Sequence, residues 1–526
     1  MESGQFAHDA VFYPGSAFAE THPDRLATIA SLFGMQPASV PRCRVLELGC
    51  NAGANLIPMA HAFPESEFLG VDLSGLSIAA GTKNVAELGL KNIELRHCDI
   101  MDVTAEFGRF DYIIAHGVYS WVPPLVREKI LRIFHDNLAR QGVAYLSYNA
   151  YPGSHIRDLT RQIMLYHVRH IDDPQEKIGQ SRAVVKFLAN AIPADQPYGN
   201  LIRAQLERLA RLQDEVLFHD DLSEFETPFL FSEVVAAAGS HRLQYVTDAI
   251  FAVSIHGAVP DYARGMLDRI PESAFLEREQ YLDFCVGRWF RESLFCHDDI
   301  ALERRLTPGC VKNYHLAAQI RPPSDGIDAG AADVVEFTTA KGAKLATDHR
   351  LSKAALLQLG GMWPQAIRFA DLVAAALDHL GTAADAANAN LDEEVNALSA
   401  ILLSAFTAGY IELHLYPAEL TTTISERPRA SPLARKQAGA APHVTNLRHA
   451  SIVFSDAVMP RFLRLVDGTR NVDELLADLN RDLSANPISA PALRPSDSNA
   501  AVLTEVTRES VERNLQALAT LGLLVA

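Results

Sequence analysis

Between Glu47 and Asn55 the chain reads ELGCNAGAN, after the apolar run RVLEL and before LIPMAHAF, which reads as a helix. Gly49 lets the backbone turn without a Cβ and lets a ligand lie against the main chain, and Gly53 does the same where the helix begins. A pyrophosphate cradle would read GxGxxG. This loop reads ExGxxxG instead, and the carboxylate of Glu47, at the strand end, suits a cation rather than a phosphate. Asp72 follows nineteen positions after Gly53, at the end of EFLGVD, where a carboxylate can accept both hydroxyls of a ribose. Asp99, in RHCDI, ends the next strand and can accept from an adenine amino group. Any one of these acids alone is more often a helix cap or a solvated turn. In order behind the glycine loop, they describe a pocket for adenosine with a cationic amino-acid tail and no phosphate, which is S-adenosyl-L-methionine.

The elements that must hold these residues are legible as an alternation. The runs RVLEL (44–48), EFLGVD (67–72), NIELRHCD (92–99), FDYIIAHG (110–117) and GVAYLSYN (142–149) are short and bounded by Gly, Pro or Asp. Helical patterns such as Leu76 to Leu88 and Leu125 to Leu138 separate them. The expected fold class is α/β, a parallel sheet with helices on both faces. Residues from about His155 to Leu217 read as helical, with apolar residues of LIRAQLERLARLQDEVL (201–217) on one face. A third, mostly helical stretch runs to about Thr307, and RPPSDGIDAGAAD (321–333) reads as a boundary.

The C-terminal part reads as two units of the same order: helix, Gly turn, helix, loop, long helix ending at Gly, short strand. ERPRASPLARKQAGAAP (426–442) lies between them as an expected linker. That order suits a winged helix. Yet no Lys or Arg occurs between Arg368 and Arg427, whereas Asp371, Asp378, Asp385, Asp392, Glu393 and Glu394 are acidic. Such a unit repels phosphate and reads as a protein-docking surface.

At 526 residues with 48% apolar and 21% charged side chains, the chain is long enough for several buried cores and is not globally disordered. Its formal charge of −17 argues against a nucleic-acid coat. Neither a signal peptide nor a long apolar span is legible, so a cytoplasmic location is expected and no membrane is. Six cysteines without CxxC read as reduced, mostly buried thiols, and no metal is expected.

YPGSAFAETHPDRLATIASLFGM, RVLELGCNAGANLIPMA, GVDLS, FDYIIAHGVYSWVP and GVAYLSYNAYPGSH resemble the class I S-adenosylmethionine-dependent methyltransferases of bacteria that carry a methyltransferase regulatory domain. That group includes protein lysine methyltransferases with a C-terminal winged helix. FHDDLSEFETPFLFSEVVAAAGSHRLQYVTDA (218–249) and LEREQYLDFCVGRWFRESLFCH (276–297) resemble the regulatory domain; ASPLARKQAGAAPHVTNLRHA and LVDGTRNVDELLADL resemble the terminal one. The implied organisation is a cofactor-binding core with an N-terminal lid (1–154), a helical extension (155–217), the regulatory domain (218–300), a helical, winged-helix-like unit (301–420) and a second one (443–526).

The resemblance carries over Glu47, Gly49, Gly53, Asp72 and Asp99 as cofactor residues, with Asn51, Leu73 and Ile100 beside them. It places His116 and Gly117 next to the sulfonium and Tyr13 and His22 in a lid over the cofactor; His22 reads equally as a capping or packed histidine. Asn51 departs from the family's central glycine, although Asn enters positive φ more readily than other side chains. The implied reaction is methyl transfer to an amine, most simply lysine on a protein, which must arrive uncharged. Aromatic rings after the fourth and fifth strands can hold such an amine: Tyr119, Trp121, Tyr148 and Tyr151, with Asn149 among them. Expected partners are a lysine-bearing protein and, through the helical middle or the C-terminal region, a second copy of the chain; nucleic acid is not expected. A small-molecule methyltransferase and a non-catalytic cofactor-sensing scaffold remain open alternatives, whereas the ExGxxxG spacing disfavours a nicotinamide oxidoreductase.

Overall fold

The five apolar runs form parallel strands whose bounds follow the sequence reading closely: β1 Arg44–Leu48, β2 Glu67–Asp72, β3 Ile93–His97, β4 Phe110–Ala115 and β5 Leu138–Asn149. The computed structural model describes residues 15–223, 225–251, 259–381, 391–439, 443–489 and 502–525. β1, β4 and most of β5 are buried, as strands covered on both faces of a sheet are. The helix Gly75–Leu88 starts where Ser74 Oγ accepts from Ser77 N and stops at Gly89 in the left-handed conformation.

Two further strands, β6 Leu243–Asp248 and β7 Phe290–His297, complete a seven-stranded sheet of order β3-β2-β1-β4-β5-β7-β6. β7 runs antiparallel between β5 and β6, with Ser147 opposite Glu292 and Asn149 opposite Phe290. The segment expected as a separate regulatory domain thus finishes the sheet, and Phe231, Val234 and Ala238 of the helix Phe231–Ser240 enter its core. The physical reason is the edge of β5, a long strand buried on both faces, whose backbone groups need a partner. The helices Ser154–Val168, Pro174–Ala191 and Pro197–Arg211 of the expected extension pack around a small core of their own, including Met164, Val185 and Ile202.

The chain divides into two compact units, with a boundary close to the expected one at 300/301. One holds residues 29–303; the other joins residues 17–28 to 304–526. The division falls at 303/304 and not in the turn-rich segment 321–333. That segment leads from strand Ile320–Arg321 to strand Val335–Thr339 inside a three-stranded sheet. In the second unit the helices Arg350–Met362, Phe369–His379 and Leu391–Thr407 accompany strands 315–317, 367–368 and 412–414. The helices Val458–Leu465, Val472–Ala485 and Arg508–Thr520 follow in the same order. The expected linker is folded: Pro432–Gln437 is helical, and Ala430 and Ala434 are buried in the terminal core with Phe462, Leu479 and Leu515. Its alanines pack there because small side chains fit close to crossing helices.

The start of helix Pro23–Leu32 belongs to this second unit. Asp24 Oδ2 lies 2.7 Å from His414 Nδ1, its Oδ1 accepts from Tyr416 N at 2.7 Å, and Thr28 Oγ1 accepts from Leu415 N. Glu412 receives His414 Nε2 and the Arg448 guanidinium, so the two carboxylates raise the His414 pKa. No helix among the described residues is long and apolar enough to cross a membrane.

Candidate active site

β1 is the point at which the sheet's winding reverses, since the chain leaves it toward β2 and returns at β4. Ligands of such sheets bind outside the carboxyl ends of the strands at that reversal. Gly49 turns there with φ +77°, and a Cβ on it would lie 2.6 Å from Val118 Cγ2, so the loops after β1 and β4 touch only because residue 49 is glycine.

Asn51 adopts φ +51°, as its type allows, and its side-chain oxygen accepts from Ala52 N at 2.7 Å. A β-branched residue has no such freedom. Asn51→Val is expected to cost about 1–2 kcal/mol in chemical denaturation, whereas Asn51→Gly should stay within about 1 kcal/mol of wild type.

Three acidic strand ends lie side by side. Glu47 is buried; its Oε1 accepts from Asn55 Nδ2 at 2.9 Å, while Oε2 has no hydrogen-bond partner among the described residues. Burial pushes this carboxyl up to about 7, against the bond from Asn55 and with some help from Asp72. An orphaned buried carboxylate oxygen calls for a cationic donor, and an α-ammonium supplies one.

Asp72 Oδ2 accepts from Asn51 N at 2.7 Å and Oδ1 from Ser74 N at 2.8 Å, so it also braces the loop. Each oxygen keeps a second lone pair for a hydroxyl. Asp99 Oδ1 caps the short turn Ile100–Asp102 through Met101 N, leaving Oδ2 available; Cys98 N donates to Asp72 O, tying the two strand ends together. Leu73 is exposed and Ile100 half-buried against the core. These residues fit S-adenosylmethionine: a cation site on Glu47, hydroxyl acceptors on Asp72 and an amine acceptor on Asp99. Gly81 was missed by the sequence reading. A Cβ there would lie 2.5 Å from Ala52 O, so this helix presses on the loop only through a glycine. Cys50, also in the loop, is buried with its thiol pKa raised well above normal, which makes it a packing group rather than a nucleophile.

The aromatic candidates separate. Tyr119 and Tyr148 lie inside the main core, the Tyr119 hydroxyl raised to about 12 by burial and the Tyr148 hydroxyl 3.2 Å from Ser293 Oγ. The expectation that they line an amine slot is corrected here. Along β5, Ala144, Leu146 and Tyr148 share the core face, whereas Tyr145, Ser147 and Asn149 share the other. Trp121 and Tyr151 are half-buried, Trp121 beneath the Arg157 guanidinium at 5.3 Å and Tyr151 stacked on His155 at 4.1 Å.

The loops after β4 and β5 meet where Asn149 N donates to Ser120 Oγ at 2.9 Å and Gly117 N to Ser147 Oγ at 2.8 Å. Glu226, which the sequence reading did not single out, accepts from Asn149 Nδ2 at 3.1 Å and pairs with Arg161 at 2.7 Å. No local sequence signal marks it; only the folded chain brings it to β5. His116 lies just past β4, its Nδ1 2.8 Å from the Tyr145 hydroxyl. His22, expected in a lid, is half-buried in the second unit with its ring 5.0 Å from that of His449 and Nδ1 accepting from Asp24 N, which is its helix-capping reading. Burial lowers its pKa to about 4. Tyr13 lies outside the described residues.

Three family descriptions match the chain: "Methyltransferase domain" over residues 45–142, "Predicted methyltransferase regulatory domain" over 213–297 and "PKMT, C-terminal winged helix domain" over 426–523. The uncharacterized protein RP789 of Rickettsia prowazekii is 34% identical over 453 residues, 85% of this chain and 80% of its own. RP028 of the same organism is 34% identical over 238 residues, 45% of this chain and 95% of its own. Among solved structures, PKMT2 from Rickettsia typhi is 28% identical with a TM-score of 0.85, over 98% of this chain and all of that one. The same protein in complex with AdoHcy gives 0.86 over the same coverage.

Proposed function

The chain belongs to the family of RP789, class I S-adenosylmethionine-dependent methyltransferases with a regulatory segment and a C-terminal winged helix, and from this premise we propose that its acceptor is the ε-amine of lysine on a protein. The observation that carries the reading is likeness to PKMT2 along almost the whole chain, terminal domain included, rather than over the nucleotide-binding sheet alone. When bound, S-adenosylmethionine supplies an electrophilic methyl group, whose passage to the amine forms an N–C bond as the S–C bond breaks.

The chain's own part is positioning and exclusion of water. Glu47 holds the ammonium of the amino-acid tail, Asp72 the ribose and Asp99 the adenine amine. Trp121, Tyr151 and Asn149, on the two loops joined at Ser120, border the acceptor's approach. Glu226 accepts from the Asn149 amide nitrogen and thereby settles which way that amide points. The amide oxygen is then turned away from Glu226 and serves as an acceptor. The test is incubation of the purified chain with methyl-labelled S-adenosylmethionine and cell lysate, followed by mass analysis. Label on protein lysine is expected; label confined to the low-mass fraction overturns the protein acceptor.

Glu47 adds a pH signature. Its carboxyl is held near 7 without ligand, and the ammonium selects the ionised form. Binding therefore releases a proton below pH 7, and affinity drops by about tenfold at one unit below that pKa. Calorimetry in two buffers of different ionisation enthalpy reads the release, which Glu47→Gln should abolish.

A further inference from the structure

β3 closes one end of the seven-stranded sheet, next to β2. Asn92 O accepts from Phe68 N at 2.9 Å, and Cys98 N donates to Asp72 O at 3.0 Å. Along a parallel strand successive residues turn their main chain to alternate sides. Asn92, Glu94, Arg96 and Cys98 therefore bond toward β2, and Ile93, Leu95 and His97 turn their N–H and C=O groups outward. Among the described residues these outward groups meet no main-chain partner. Glu94 and His97 are exposed, so the edge is reachable from solvent. An unpaired edge of this kind is a template for another strand.

The side chains of this edge are arranged about Leu95. Glu94 and Arg96 stand on one face, one residue to either side of it, with Arg96 Nη2 2.8 Å from Glu94 Oε1. The Arg96 guanidinium lies 4.9 Å from the centre of the Phe107 ring. Between β3 and β4 the chain makes only two short turns, Ile100–Asp102 and Ala105–Phe107. A cavity of about 580 Å³ opens on that face, with Arg44, Glu67, Glu94, Arg96 and Phe107 in its lining. On the opposite face Leu95 packs under the helix Gly75–Leu88, where a Cβ on Gly81 would lie 2.5 Å from Leu95 Cδ1.

We infer that the edge of β3 docks a second copy of this chain, the two β3 strands pairing antiparallel about a two-fold axis at Leu95. This register sets Leu95 opposite the partner's Leu95 and Ile93 opposite the partner's His97, so the outward groups face one another and each such pair exchanges both of its bonds. Glu94 then falls opposite the partner's Arg96, and Arg96 opposite the partner's Glu94. These are the non-hydrogen-bonded pairs, in which Cα atoms approach to about 4.5 Å and side chains are closest. Charges of one sign on an edge hold copies apart; opposite charges mirrored about Leu95 attract. Each guanidinium has donors enough for both carboxylates, so the bond within the strand need not be given up. An axis at Glu94 or Arg96 would instead set like charges face to face. With strands about 4.8 Å apart, the two Gly75–Leu88 helices, each over β2 and β3, come to about 10 Å, an ordinary packing distance, with Ala79, Ala80 and Ala86 exposed on each. This surface is distinct from the helical middle and the C-terminal region, where the sequence reading expects a second copy.

Analytical ultracentrifugation of the full-length chain over a concentration series reads the association, and wild type is expected to dimerise. Glu94→Arg or Arg96→Glu alone places like charges in both facing pairs and should raise the dimer Kd by about 30-fold. Circular dichroism should not change, since both side chains reach solvent. Glu94→Arg with Arg96→Glu mirrors the opposite charges again and should return the Kd to within about threefold of wild type. That recovery separates the register from the loss of a surface charge. Hydrogen exchange gives a reading that needs no variant: the outward Leu95 amide should be protected in the dimer and exchange freely in the dilute monomer. A wild type that stays monomeric throughout the series overturns the inference. So does a dimer indifferent to both single reversals, which places the second copy on another surface, or a double variant no tighter than the single ones.

Discussion

Asp72→Ala weakens S-adenosylmethionine binding by about 30- to 1000-fold, corresponding to about 2–4 kcal/mol, as measured by calorimetry. The expectation combines two losses. The ribose hydroxyls lose a charged acceptor, and Asn51 N and Ser74 N lose the oxygens that hold the loop in place. Asp72→Asn keeps the shape and one acceptor oxygen, so it should fall short of the alanine effect. The circular dichroism of both variants should match wild type, because the carboxylate sits at a strand end and not in the core. Cofactor affinity unchanged in Asp72→Ala removes the pocket assignment.

Arg291→Met is expected to be the most destabilising single change in the first unit. Arg291 has no exposed side-chain surface and reaches Asp248 at 2.9 Å, Asp283 at 2.9 Å and Glu279 at 3.2 Å, with its guanidinium 4.0 Å from the centre of the Phe231 ring. Arg288 also meets Asp283, but nothing else pairs with Asp248 as a cation among the described residues. Methionine fills much of the volume yet leaves buried carboxylates without their charge partner, which costs about 3–5 kcal/mol. For a unit of this size, that lowers Tm by about 6–20 °C. Adding Asp248→Asn to Arg291→Met should restore part of the loss. A Tm within 2 °C of wild type, about what 1 kcal/mol moves, would show that the network contributes little.

β1 to β5 were legible because each is a short run with apolar residues that stops at Gly, Asp or Asn. β6 and β7 were not, because β5, which their hairpin extends, lies far away in the chain beyond several inserted helices. LQYVTD and FRESLFCH carry no mark of which edge they join. The cofactor residues were legible through type and order: Glu47, Asp72 and Asp99 end neighbouring strands. The acceptor side was read less well. Tyr119 and Tyr148 were chosen for being aromatic and near strand ends, but period two along GVAYLSYN puts Tyr148 with Leu146 on the core face and leaves Tyr145 with Ser147 on the other. That alternation was present in the sequence and would have pointed to Tyr145. Glu226 had no such signal, since only the folded chain brings it to Asn149 of β5.

The bond between Asp24 and His414 joins residues 390 positions apart, and Thr28 and Leu415 are nearly as distant. During synthesis the start of helix Pro23–Leu32 leaves the ribosome early, while its partners have not been made. At about 5–20 residues per second, roughly 20–80 s pass before His414 is joined to the chain. Throughout that time Leu26 and Ala27, fully buried in the finished protein, are without the rest of the unit to which they belong. The first unit, by contrast, is wholly emergent soon after Glu303 and can fold while the rest is translated. The order of synthesis therefore leaves the start of this helix without these hydrogen-bond partners until most of the second unit has been made.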